Sequence, residues 1–199
     1  MIVFSSLHDP KLAQLLANGH VGVIPTDTIY GIVASAHSPE AVHRLYVLKD
    51  REGMGKTGTI IAANLQQLID LGIAAEHLER AAHLWPNPIS VELPLDDSLH
   101  YIHKGSGHNA FRIVANDDVR KLLEQTGPLL TSSANLAEQP SATTMREAQQ
   151  YFGDKVDMYV EGGDLSGRPP STVVVLLPNG RLEVARPGAI KIDEEGNIV

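Results

Sequence analysis

The sequence predicts a single α/β domain, residues 1–199, built on a mixed β-sheet with flanking helices. Two observations carry that prediction. Apolar β-forming runs alternate along the chain with amphipathic segments that open on N-cap signals. No composition break, repeat or low-complexity tract divides the chain, and at 199 residues it is long enough to bury roughly 70% of its unfolded surface in one core. A third observation concerns function. Three β-forming runs adjoin hydroxyl-rich stretches: Pro25-Thr26-Asp27-Thr28-Ile29-Tyr30-Gly31, Leu129-Leu130-Thr131-Ser132-Ser133-Ala134-Asn135, and Arg168-Pro169-Pro170-Ser171-Thr172. Ligands of open α/β sheets collect beyond strand ends, so three such ends imply one shared pocket.

In chain order, Asp9-Pro10 is an N-cap with proline at the first helical position, Leu12, Leu15 and Leu16 form the apolar stripe, and Asn18-Gly19 stops the helix. A strand follows over 21–24, ending at Pro25, with Gly31 read as permitting a tight turn. Ser38-Pro39 repeats the start signal for a helix ending near Lys49. A charged, glycine-rich excursion over 50–57 precedes a short strand at 59–62. Helices are expected over 64–71 and 73–84, broken at Gly72. A strand over 89–93, a polar loop over 96–109 and a strand over 110–114 come next. Asn116 caps a helix to about 125, and another runs from Thr144 to about 152. Strands at 156–160, 171–177 and 181–185 close the chain, the last two joined by Asn179-Gly180, a strong hairpin signal.

Composition excludes several functions. With no cysteine there is no disulfide, zinc-thiolate site, iron–sulfur cluster or cysteine nucleophile. No apolar run approaches the ~20 residues of a membrane helix and no secretory signal opens the chain, so a soluble, cytoplasmic protein is expected. A net charge of −8 repels polyanions, which makes a general nucleic-acid binder the lesser reading.

Among candidate groups, Gly55-Lys56-Thr57 imitates the end of a P-loop, but position 50 is Asp and the surrounding order is helix then strand, so that reading is rejected. The loop can still meet phosphate through Lys56 and its glycine N–H groups. Lys49-Asp50-Arg51 ends a helix, where basic side chains complement the helix dipole. Arg112, in the middle of a strand, must reach solvent or a buried anion. No G-x-S-x-G elbow supports a serine hydrolase. His100, His103 and His108 fall in the expected loop without a regular ligand frame, so a solvated loop is favoured over a metal site.

Taken together, the Pro25 to Gly31 stretch, Lys49-x-Arg51, Trp85-Pro86, the strand with Arg112, Ser132-Ser133-Ala134-Asn135, Ser171-Thr172-Val173-Val174 and Arg186-Pro187-Gly188-Ala189-Ile190 resemble the YrdC-like family of threonylcarbamoyl-AMP synthases. Each motif is weak alone; seven in order are specific. The resemblance runs from about residue 10 to 190 and fits the short, single-domain form. It implies a twisted sheet around a concave basic cavity, and a nucleotidyltransferase reaction that joins L-threonine, bicarbonate or CO2, and ATP into threonylcarbamoyl-AMP and pyrophosphate for tRNA modification. Implied partners are these substrates and a downstream tRNA threonylcarbamoyl transferase machinery, with Mg2+ accompanying ATP and no metal held by the protein. The implied threonine-binding residues are Thr26, Arg112, Thr131 and Ser171. Lys49 and Arg51 are the implied catalytic cations and hold ATP with Ser133, Asn135, Ser141 and Arg186, while Tyr30 walls the pocket. The alternative from the same fold is a module binding double-stranded RNA or the ribosome without turnover. The chain departs from the family pattern at Glu52-Gly53-Met54-Gly55-Lys56-Thr57, where prolines are usual, in Ile113-Val114 after Arg112, in Asn87, in Ala137-Glu138, and in having no histidine on the strand at 59–62.

Overall fold

The computed structural model describes residues 1–199 other than Glu52, Met54 and Gly196, so Glu52 and Met54 of the divergent loop lie outside the described residues. Among the described residues, ten strands form one sheet: β1 Ile2–Phe4, β2 Gly22–Pro25, β3 Tyr30–Ser35, β4 Thr59–Ala62, β5 Ile89–Pro94, β6 His108–Ile113, β7 Leu129–Ser133, β8 Met158–Val160, β9 Thr172–Leu176 and β10 Leu182–Arg186. Their order across the sheet is β1-β8-β2-β3-β7-β4-β6-β5-β9-β10. Pairing is mixed. β1 with β8, β2 with β8, β4 with β6, and β5 with β9 run parallel, and the remaining neighbours run antiparallel. The helices are α1 Pro10–Ala17, α2 Pro39–Leu48, α3 Leu65–Asp70, α4 Ala75–Ala81, α5 His100–His103, α6 Asp117–Thr126 and α7 Met145–Phe152.

The capping signals act as expected. The side chains of Asp9, Ser38, Asn64, Asn116 and Thr144 each accept from a backbone N–H of the first helical turn. Gly72, at φ +105°, supplies the break after α3. Among the described residues, no helix is long and apolar enough to cross a membrane.

Two expectations are corrected. Gly31 is no turn: it lies inside β3, a fully buried strand antiparallel to β2 and β7, and the reversal falls at Thr26 to Ile29, where the Thr26 N–H reaches Ile29 O at 3.2 Å. A run buried on both faces carries no alternation to mark it as a strand. The polar loop over 96–109 is also structured. It holds a 3₁₀ turn, Asp97–Leu99, then α5, with His103 buried, and its end already belongs to β6. The short edge strand β1, held by its parallel register with β8, adds a tenth strand that the periodicity does not reveal.

The register decides where a site can form. Thr131, Thr59, Ala110 and Glu92 are successive Cα partners across β7, β4, β6 and β5, so they share one face of the sheet, as do Ile61, Leu129, Arg112 and Ser90 two residues along each strand. Their odd-and-even neighbours Leu130, Ile60, Phe111 and Val91 face the other way into the larger core, under α2, α3, α4, α5 and α7. On the first face only Ile61, Leu129, Val33 and their neighbours are covered, by Leu12 and Leu16 of α1 and Val119, Leu122 and Leu123 of α6. Each such leucine contributes roughly 1.5–3 kcal/mol by burial. α1 and α6 therefore close one end of this face, and the hydroxyl and charged row beyond them becomes the floor of a cavity.

Candidate active site

That cavity, about 510 Å³, is the meeting point of the strand ends. Eight of the ten residues singled out from sequence line it: Thr26, Arg51, Arg112, Thr131, Ser133, Ser141, Ser171 and Arg186. Tyr30 also lines it, with its hydroxyl accepting from Gly162 N (2.8 Å) and donating to Gly163 O (3.0 Å); burial raises its pKa.

Glycines set how closely these elements approach. A Cβ on Gly31 would stand 2.5 Å from Thr131 Oγ1 and 3.1 Å from Thr26 Cγ2, so glycine is what lets Thr131 and the Thr26 turn meet. Gly188 plays the same part below Ser171: a Cβ there would lie 2.4 Å from Pro170 O. The turn after β10 is thereby pinned to the start of β9, with Ala189 N donating to Pro170 O at 2.8 Å and Thr172 Oγ1 donating to Ile190 O at 2.7 Å.

Charge is concentrated in the floor and one rim. Arg112 reaches a buried anion, Asp27: its NH2 donates to Asp27 Oδ1 at 2.7 Å, with both side chains 4% exposed or less. Its NH1 donates to Ser90 Oγ at 3.2 Å. Arg186 NH2 donates to Ser171 O (2.8 Å) and Ser171 Oγ (3.2 Å). Desolvation lowers the Arg186 pKa, and the nearby positive charges of Arg112 and Arg51 lower it further. Arg51, lowered by desolvation, donates to Thr57 O at 3.1 Å, and its own carbonyl accepts from Lys104 Nζ. With Arg51 and Arg112 both bearing on Arg186, positive charge is concentrated on one side of the cavity, which suits an anion.

Lys49 and Asn135 stand behind this wall. Lys49 is 2% exposed, and its Nζ donates to Ser133 O (2.8 Å), Asn135 O (2.5 Å) and Asn135 Oδ1 (2.6 Å). Asn135 Oδ1 also accepts from Ser133 Oγ at 2.7 Å, and its Nδ2 donates to Gln139 O. Lys49 thus organises the turn that presents Ser133, and burial, followed by the charge of Arg51, brings its pKa down to about 7. Two residues escaped the sequence reading. Ser90 is fully buried beneath the floor. Glu92 places a carboxylate in the cavity, with no ion pair among the described residues. The signal for both was the register, two residues apart on one face of β5, which no local pattern exposes. Lys56, with Gly55 and Thr57, brings the divergent loop to the rim.

Among the described residues, the histidines are engaged in the local structure of the α5 segment. Asp97, His100 and His103 come within ligand distance of one another, but His103 Nδ1 accepts from Gly105 N (3.1 Å) and Gly107 N (3.2 Å). His103 Nδ1 is thus spent on the turn that leads into β6.

A hydroxyl-lined cavity with three guanidiniums, laid on one face of a mixed sheet, defines an α/β protein built to hold a small anionic ligand. Comparison with known proteins makes this particular: the chain belongs to the Sua5/YciO/YrdC family, whose family model, described as "Telomere recombination", matches residues 14–188. The threonylcarbamoyl-AMP synthase of Pseudomonas putida (strain GB-1) is 33% identical over 187 residues, covering 92% of this chain and 99% of that protein. The enzyme of the same name from Pseudomonas aeruginosa (strain UCBPP-PA14) is 32% identical over 188 residues, covering 93% and 100%. Among solved structures, P. abyssi Sua5 complexed with L-threonine superposes with a TM-score of 0.82 at 26% identity; the match covers 96% of this chain and 58% of that one. This chain thus spans well under two thirds of the Sua5 chain. E. coli YciO shares the fold, with a TM-score of 0.76 at 20% identity over 94% of each chain.

Proposed function

We propose that this chain is an L-threonylcarbamoyl-AMP synthase, a nucleotidyltransferase that forms threonylcarbamoyl-AMP and pyrophosphate from L-threonine, CO2 or bicarbonate, and ATP. The observation that carries the reading is the clustering of Arg51, Arg112 and Arg186 in one cavity with five hydroxyl side chains from the same motifs. The relatives named threonylcarbamoyl-AMP synthase and the threonine complex of P. abyssi Sua5 support it.

The chemistry needs positioning and charge rather than a protein nucleophile. The threonine amine attacks CO2, forming the carbamate C–N bond and releasing a proton. A carbamate oxygen then attacks the α-phosphorus of ATP, and the bond to the departing pyrophosphate breaks. Negative charge gathers on phosphoryl oxygens, where preorganised guanidiniums stabilise it without reorganisation. In this reading Arg112 meets the threonine carboxylate, Thr26, Thr131 and Ser171 orient the amino acid, and Arg51, Arg186, Ser133 and Ser141 hold the triphosphate. Lys49 and Asn135 act one layer back, through the Ser133 turn. Among the described residues lining the cavity Glu92 is the one carboxylate, which suits a Mg2+ ion held mainly by phosphate oxygens and water. A cytoplasmic setting and a downstream tRNA-modifying transferase go with this activity. Because the cations face inward, a small anion is favoured over duplex RNA as the ligand.

The test is pyrophosphate release from ATP, Mg2+ and bicarbonate by purified protein. Release that requires L-threonine and is lost with L-serine, with threonylcarbamoyl-AMP identified by mass, is the expected result. A folded protein that releases no pyrophosphate under these conditions sinks the reading.

A further inference from the structure

Ser90 does not line the cavity, yet it joins the two guanidiniums that flank Ser171, a buried hydroxyl of its lining. Its Oγ accepts from Arg112 NH1 at 3.2 Å and donates to Ser171 Oγ at 2.9 Å, and Ser171 Oγ in turn accepts from Arg186 NH2 at 3.2 Å. Ser90 is 0% exposed, and Ser171, which lines the cavity, is 4% exposed. Burial and geometry set the direction of this chain. A guanidinium can only donate, so Ser90 accepts from Arg112, and the single O–H of the fully buried Ser90 is directed at Ser171 Oγ. Ser171 then has both acceptor positions occupied, by Ser90 and by Arg186. Its own O–H remains unspent. Arg112 likewise keeps a buried Nε–H without a partner.

We infer that Ser90 is a positioning residue: through Arg112 and Arg186 it makes Ser171 an obligate hydrogen-bond donor, so that Ser171 and Arg112 together form a donor-only array for a carboxylate. The inference rests on the proposed function and deepens it, because the array selects the α-carboxylate of the amino-acid substrate and gives no acceptor to an amide in its place. Without Ser90, the Ser171 hydroxyl is free to turn toward the vacated acceptor position, and Arg112 NH1 loses the group that fixes its plane.

Isothermal titration of L-threonine, L-threoninamide and a non-hydrolysable ATP analogue into the wild-type protein, Ser90→Ala, Ser90→Cys and Ser90→Thr tests this. Losing one hydrogen bond to a charged group weakens L-threonine binding about tenfold in Ser90→Ala. The preference for threonine over threoninamide narrows by a similar factor. ATP-analogue affinity stays within about twofold, since one cation of several is disturbed. Ser90→Thr, which keeps the hydroxyl, restores threonine binding, whereas Ser90→Cys, of similar volume but a weak donor, behaves like the alanine variant and carries the test if Ser90→Ala does not fold. Wild-type threonine affinity in Ser90→Cys or Ser90→Ala, an equal loss of the ATP analogue, or no rescue by Ser90→Thr overturns the inference while leaving the synthase reading intact. A wild-type protein that binds no L-threonine removes both.

Discussion

Arg112 and Lys56 are cations of one cavity held in opposite ways. Arg112 lies on the floor, 3% exposed, with Asp27 and Ser90 on two of its nitrogens. Lys56 lies on the rim, exposed, on a glycine-rich loop where Cβ atoms on Gly53 and Gly55 would meet nothing within 4 Å. Under the proposed function, the contrast teaches that the amino-acid end is built before any substrate arrives, while the phosphate end is finished by a loop. Preorganised groups make steep, geometry-dependent contributions; exposed charges make shallow, screened ones. Substitutions at the two ends should therefore differ in size and in salt dependence.

The largest effect belongs to the floor. Arg112→Ala should lower kcat/KM for L-threonine by about 1,000-fold or more, as expected when a charge-assisted anchor is lost and its neighbours relax. It also strands Asp27, and an uncompensated buried carboxylate costs about 3–5 kcal/mol. Adding Asp27→Asn should return much of the lost Tm but none of the threonine use. A double variant that regains activity would overturn the assignment of Arg112, and one that stays unstable would overturn the account of the pair.

Next comes the layer behind the wall. Lys49→Met removes the cation that gathers Ser133 O, Asn135 O and Asn135 Oδ1, so activity should fall about tenfold to 100-fold through a displaced Ser133 turn. Stability supplies an independent readout. The Lys49 pKa is about 7 in the folded protein, below the ordinary lysine value of 10.5. Between those values the unfolded chain binds more protons than the folded one, so the free energy of unfolding contributed by this group rises with pH. Below about pH 7 its unfavourable contribution is present in full, and it fades as pH climbs toward 10. Urea unfolding at pH 7 and pH 9 should show a gain for the wild-type protein that is missing in Lys49→Met. Equal gains in both would remove Lys49 as the source.

At the rim, Lys56→Ala should raise KM for ATP about threefold to tenfold at low ionic strength, with the difference shrinking as salt is added, because an exposed charge acts within a Debye length of about 10 Å at 0.1 M. A loss as deep as that of Arg112→Ala, or one insensitive to salt, would mean that the loop is as preorganised as the floor.

Legibility in the sequence followed the same division. Helix starts at Asp9, Ser38, Asn116 and Thr144 were readable because each cap is a local contest between a side-chain oxygen and free N–H groups. The hydroxyl motifs were readable because small polar residues interrupt apolar runs where strands end. Arg112 was readable as a mid-strand charge needing solvent or a buried anion, but its partner Asp27, 85 positions away, was not. Gly31 misled for the same reason: glycine signals both a turn and a close approach, and only the distance to Thr131 Oγ1 separates them. Ser90 and Glu92 were silent because their meaning comes from the antiparallel register of β5 against β6, a non-local fact.

Glu92 offers the smallest effect and the finest test of the contrast. Its carboxylate stands in the cavity one pleat from Ser90 and beside Ala110, on the row that runs toward Thr59 and the loop. It faces a cavity holding Arg51, Arg112 and Arg186 and makes no ion pair with any of them among the described residues. At an effective dielectric near 80, a charge several ångströms from a phosphate repels it by about 0.5–1 kcal/mol, a factor of roughly two to five in affinity. Glu92→Gln should therefore lower KM for ATP by about that factor without Mg2+ in excess, and leave KM for L-threonine unchanged. If Glu92 instead accepts a hydrogen bond from the substrate amine, the same substitution raises KM for L-threonine and spares ATP. The direction and the substrate affected thus decide whether this carboxylate belongs electrically to the loop-finished phosphate end or to the prebuilt amino-acid end.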